Sequence, residues 1–112
     1  MTTFANQRII IVKRTDTLKN YTKLNNDSLA QMLWELTPSE FTVLVYLLTK
    51  IPNTEYALSP KDISSRLNLA TKTISDRIIP SLIKKNYITN IKGKRYIVTD
   101  VPCKNLKEVL HR

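Results

Sequence analysis

Apolar positions along the chain follow two periods, and the change from one to the other marks out the elements. QRIIIVK (residues 7–13) is a β-branched run followed by the polar stretch RTDTLKN, which predicts a short strand. YTKL (Tyr21–Leu24) predicts a second extended piece. The spacing then turns helical. Asn25, Asn26, Asp27 and Ser28 offer capping side chains, and Leu29, Met32, Leu33 and Leu36 recur on one side, so a helix is expected through about Glu35. Thr37-Pro38-Ser39-Glu40 has the capping-box form: Thr at the cap, Pro at the first helical position, Glu at the third. The apolar residues that follow, Phe41, Val43, Leu44, Val45, Leu47, Leu48 and Ile51, nearly encircle their helix. Such a helix is buried on most sides and should be the spine of the core. It is expected to stop before Pro52-Asn53-Thr54.

The second half has shorter elements. Ser59-Pro60-Lys61-Asp62 opens a brief helix with Ile63 and Leu67 inward. Asn68–Thr71 reads as a tight turn with Leu69 plugging the core. A further helix begins at about Thr71 with Ile74, Ile78 and then Leu82 inward. Pro80 interrupts it, and a proline inside a helix removes a donor and clashes with the carbonyl four residues back, at about 3 kcal/mol. Tyr87–Ile91 and Arg95–Asp100 predict a hairpin, its tip supplied with positive φ by Gly93, the only glycine of the chain. After Pro102, KNLKEVLH predicts a last short helix with Leu106, Val109 and Leu110 on one side.

Composition narrows the class. A chain of 112 residues suits one domain, 1–112, with a core unit at 25–100. No apolar run nears the ~18 residues that a membrane span needs. The first residues carry an apolar run before the bases, the wrong order for a signal peptide, so a cytoplasmic protein is expected. One cysteine, Cys103, and one histidine, His111, make a poor metal set. No paired-acid site, phosphate-binding glycine loop or nucleophile with a base stands out, so neither an enzyme nor a cofactor is expected.

Charge adds direction. Eighteen Lys and Arg face nine Asp and Glu, a net +9. The excess is uneven: residues 1–24 carry +4, 25–58 carry −3, 59–100 carry +6 and 101–112 carry +2. A basic second half beside an acidic middle suits a nucleic-acid face on a scaffold. Trp34, Phe41, Tyr46 and Tyr56 fall in the acidic part. They read as core or interface residues, not base-stacking platforms, which disfavours a single-strand or RNA reader.

The order short helix, tight turn, second helix, hairpin resembles a winged helix-turn-helix. LSPKDISSRLNLATKTISDRI is similar to the two-helix unit of that superfamily, and LIKKNYI to its closing segment, with Asn86 where members commonly have glycine. YTKLNNDSLAQMLWELTPSEFTVLVYLLTK is similar to the lead-in of winged-helix domains in phage replisome organisers and plasmid replication initiators. Small bacterial repressors share a comparable pattern. The resemblance spans roughly residues 20–100 and implies an α+β fold, mostly helical, with a C-terminal wing and short N-terminal strands. Members commonly space eight residues from the Thr of TKTI to the Leu before the last strand, whereas Thr73 to Leu82 is nine. A kink or break is therefore expected: a recognition helix from about Thr71 to Ile79, then a separate turn with Pro80 as its first residue.

A helix fits the major groove of a duplex. With Ile74 and Ile78 on the core, a 100° wheel turns Lys72, Thr73 and Asp76 outward and puts Ser75 and Arg77 on the flanks. Thr71 stands at the helix start, where a phosphate is favoured. Asp76 could accept from cytosine N4 or pair with Lys72 or Arg77. Lys92, Lys94 and Arg95 surround the wing tip and would follow the backbone or a minor groove. Lys84 and Lys85 read as a solvated helix end, and Lys61 and Arg66 as further phosphate contacts. The expected DNA-binding set is thus Thr71, Lys72, Thr73, Ser75, Arg77, Lys92, Lys94 and Arg95. The expected partners are double-stranded DNA and a second copy, with the N-terminal strands (7–24) and the C-terminal helix (103–111) as dimerisation elements. The function expected is a sequence-specific DNA binder, a transcriptional regulator or a replication accessory factor of a bacterial mobile element or phage. The alternative is a protein–protein adaptor in a replication or conjugation complex.

Overall fold

In the computed structural model of the chain, residues 8–13, 26–100 and 102 are described. The fold is α+β. The elements run β1 (Ile9–Lys13), α1 (Asn26–Glu35), α2 (Pro38–Leu48), β2 (Glu55–Ala57), α3 (Pro60–Leu67), α4 (Thr71–Thr73), a π-helical segment (Ile74–Ile78), α5 (Ile79–Lys84), β3 (Ile88–Lys92) and β4 (Arg95–Thr99). The extended piece expected at Tyr21–Leu24 and the helix expected at 103–111 lie outside the described residues.

The strands form one sheet in the order β2-β1-β4-β3. β3 and β4 are the expected hairpin, and Gly93 turns it with φ +55°. β1 lies inside the sheet, antiparallel to β2 and parallel to β4. Both of its edges are hydrogen-bonded within the chain, so this strand has no free edge with which to pair a second copy. Strand alternation then divides its side chains: Ile10 and Val12 join the main core, next to Tyr56, Tyr96 and Val98 on the neighbouring strands. Ile97 points to the other face, where Ile91 packs against it. Ile9 and Ile11 alternate with Ile10 and Val12 on the other face of β1 and are half-buried.

α2 is built as its residues predict. The Thr37 hydroxyl accepts from the Glu40 N–H at 3.3 Å, and the Thr37 N–H donates to Glu40 Oε1 at 3.0 Å. Val43, Leu44, Leu47 and Leu48 are buried, and Phe41 and Tyr46 pack at the core's margin. Ile51 lies beyond the helix end and is 40% exposed, so the core spine stops at Leu48. α1 buries Met32, and Leu36 beyond its end is buried too, but Leu33 is 61% and Trp34 89% exposed. Leu29 packs against the core, so Leu33 alone of the four residues at helical spacing turns to solvent, and Trp34, read as a core or interface residue, is not in the core. The stripe is too wide for the one side that α2 covers.

Of the expected kink or break, the break is absent: the helix continues through Pro80. Backbone angles stay helical through Ile78 (φ −71°, ψ −53°) and Ile79 (φ −60°, ψ −48°), and residues 71–84 form one continuous helical run. The extra residue is absorbed instead by a π turn just ahead of the proline. Ile79 stands five residues after Ile74, and on a regular α-helix it would point about 140° away from it. A π turn closes i to i+5, and the Ile79 N–H donates to the Ile74 carbonyl. Ile74, Ile78, Ile79 and Leu82 are all buried as a result. The run ends at Lys85, and Asn86 follows with φ +71° in place of glycine.

Candidate nucleic-acid interface

α3 places the 71–84 run. Ser59 caps α3 by accepting from the Asp62 N–H at 3.2 Å, Pro60 takes the first helical position, and Ile63 anchors the inner side. Asn68 ends α3 in the left-handed region at φ +57°, which turns the chain at once into Ala70 and Thr71. The Ile74 N–H donates to Ala70 O at 3.1 Å, closing the first turn. With Ile74 and Ile78 buried, the outer surface is left to the polar residues: Thr71, Lys72, Asp76 and Arg77 are exposed, Thr73 and Ser75 half-buried.

These residues fall on three sides of the run. Thr71 and Ser75 line a cavity of about 430 Å³ beside the start of α3 and the beginning of β1. Lys72, Thr73, Asp76 and Arg77 line an open groove with Ala70. Thr73 and Arg77 also border a hollow against the N-terminus of α2, formed with Thr37, Ser39 and Glu40. Asp76 accepts from the Ser75 hydroxyl at 3.1 Å, and among the described residues no ion pair joins it to Lys72 or Arg77.

The residues of the β3–β4 hairpin divide. Lys92 and Lys94 are exposed at the tip. Arg95 is engaged by Glu55 of β2, in a salt bridge that reaches over β1. Lys85, expected as a solvated helix end, instead donates to Glu40 Oε1 at 2.7 Å and to the Glu35 carbonyl at 2.9 Å. It ties the end of α5 to the α1–α2 junction. Burial opposes the charge on Glu40, but hydrogen bonds from Lys85, Ser81 and the Thr37 backbone outweigh it and hold the carboxyl below its ordinary range. Burial, and then the nearby Glu35 carboxylate, push the Tyr87 hydroxyl well above the ordinary range. Arg66 lies 3.9 Å from Asp62 on α3. No group of three or more His, Cys, Asp or Glu is placed to hold a metal ion among the described residues.

One basic residue at this surface was not singled out from the pattern. Arg8 precedes β1, and its carbonyl accepts from the Leu58 N–H at 2.8 Å just before α3. The next residue, Ile9, donates its N–H to Lys94 O at the hairpin tip, also at 2.8 Å. Nothing in the local sequence could assign Arg8 to this place, because it depends on β1 lying between β2 and β4. No protein-family profile matches the chain, and neither curated proteins nor solved structures gave a match.

Proposed function

We propose that the chain is a winged helix-turn-helix protein that binds double-stranded DNA in a sequence-specific way, as a transcriptional regulator or a replication accessory factor of a bacterial mobile element or phage. The observation that carries this reading is the outer surface of the 71–84 run. Ile74 and Ile78 hold one side in the core, while Thr71, Lys72 and Arg77 stand exposed on the other. Lys72 and Arg77 suit base edges or phosphates of a major groove, and Lys92 and Lys94 suit the flanking backbone. The acids of residues 26–58 sit on other elements. Glu40 and Glu55 are there paired with Lys85 and Arg95. As a homodimer the protein would span half-sites about one helical turn apart.

Selection of bound sites from random duplex DNA tests this. The expected result is a defined site whose affinity falls at least about tenfold in Lys72→Ala and Arg77→Ala, and a dimer by light scattering. Recovery of no preferred sequence, with both variants binding as the parent does, would refute it. One observation favours the adaptor reading instead: α1 exposes Leu33 and Trp34 to solvent, an apolar pair available to a protein partner. That reading predicts weak binding that ignores sequence.

A further inference from the structure

The cavity beside Thr71 and Ser75 has a distinctive chemistry. Arg8 and Lys61 supply two cations, Ser59 and Thr71 supply hydroxyls, and among the described residues that line it there is no acid. Its apolar floor includes Leu58 and Ile79. The ion pairs among the described residues engage Lys85, Arg66 and Arg95, not Arg8 or Lys61. Arg8 is also held in place, its guanidinium 5.5 Å from the centre of the Tyr96 ring. Two cations with hydroxyl donors and no carboxylate suit a phosphate group.

Two backbone hydrogen bonds fix where this pocket lies. Leu58 N–H to Arg8 O joins it to the start of α3, and Ile9 N–H to Lys94 O joins it to the wing tip. Arg8 therefore stands between the 71–84 run and the wing. From this geometry we infer that the cavity seats one backbone phosphate of the bound duplex, with Arg8 and Lys61 as its cations. The residue just ahead of β1 is then part of the DNA surface. The inference rests on the DNA-binding reading above and adds to it two cations that lie in neither the helical run nor the wing.

The test uses the full chain and a duplex obtained by the selection above. Affinity is measured over a range of salt for the parent, Arg8→Ala, Arg8→Lys, Lys61→Ala and the control Lys84→Ala, an exposed lysine outside the cavity. Arg8→Ala and Lys61→Ala are each expected to weaken binding about tenfold, on selected and unrelated duplexes alike, and to lower the salt slope by about one. Arg8→Lys should keep the slope, and Lys84→Ala should change neither quantity. Because Arg8 also covers the Tyr96 ring, thermal unfolding accompanies each variant, and Lys61→Ala gives a probe free of that ring. Neutral methylphosphonate linkages, placed one at a time, should reveal a position that matters to the parent and not to Arg8→Ala. Unchanged affinity and slope in Arg8→Ala and Lys61→Ala, with binding still lost in Lys72→Ala, overturns the cavity contact and leaves the DNA reading standing. Absence of duplex binding by the parent overturns both. Inorganic phosphate that binds in an Arg8-dependent way, without any effect of Arg8→Ala on duplex affinity, makes the cavity a site for free anions and also overturns the inference.

Discussion

α2 and the 71–84 run are both helices with a proline, and they are built in opposite ways. α2 has its proline at the first helical position, a reciprocal capping box and a buried side of Val43, Leu44, Leu47 and Leu48 flanked by half-buried Phe41, Val45 and Tyr46. The 71–84 run starts at Ala70 without a side-chain cap, widens into a π turn, carries Pro80 in its interior and buries one side only. Local interactions specify the first helix. Tertiary contacts hold the second: the buried positions Ile74, Ile78, Ile79 and Leu82 against the core, and Lys85 against Glu40 and the Glu35 carbonyl. The difference lies in what specifies each helix, local caps in α2 and tertiary contacts in the 71–84 run.

The largest expected effect of breaking this contrast is on α2. Leu44→Ala should cost about 2–5 kcal/mol of unfolding free energy, because a fully buried leucine leaves a cavity in the core. Denaturant titration checks it, and a cost below 1 kcal/mol would remove α2 from its place as the spine. The π turn is tested by deleting Asp76 together with Pro80→Ala. Ile74, Ile78, Ile79 and Leu82 then fall at i, i+3, i+4 and i+7 of a regular α-helix. The expected protein stays folded with amide exchange in the run slowed, yet binds the selected duplex about tenfold or more weakly, because Arg77 turns relative to Lys72. Loss of the cooperative unfolding transition would instead make the π turn a requirement of packing.

Glu40 gives a pH-dependent contrast. Its carboxyl lies below its ordinary value of 4.5 in the folded chain, so the stability it contributes is present above that value and is lost as pH falls through the lowered one. The stability difference between the parent and Glu40→Gln, followed by urea titration from neutral to acidic pH, should therefore narrow on acidification. A gap that widens would reverse the sign of the shift. The smallest effects concern the caps. Thr37→Ala should destabilise by about 1 kcal/mol, while Ala70→Ser should stabilise by about 0.5–1 kcal/mol by supplying the cap that the 71–84 run lacks. Equal and opposite responses confirm that one helix is capped and the other is not; no gain from Ala70→Ser would show that its first turn is already satisfied.

Much of this arrangement was legible along the chain. The capping signals at Thr37 and Ser59, the left-handed Asn86, the turn at Gly93 and the inward Ile74, Ile78 and Leu82 depend on neighbours within a few residues, and each is found as read. The count of one extra residue between Thr73 and Leu82 pointed to an irregular helix, but not to its form. A kink, a break and a π turn would each restore Leu82 to the core, and the π turn found here buries Ile79 as well. β2 was not foreseen because three residues carry too little periodicity, and Lys85 looked solvated because its carboxylate lies 45 positions away.

The sequence by itself determined the helices, their caps and turns, the hairpin and the separation of basic from acidic segments, since these follow from local backbone preferences and side-chain spacing. Tertiary structure alone decided where β1 goes. Strand pairing joins residues far apart in the chain, and no local signal chooses between a free edge and a place between β2 and β4. That one placement engages both edges of β1, lets the Glu55–Arg95 ion pair close over it, and brings Arg8 to the polar surface between the tip of the β3–β4 hairpin and the 71–84 run.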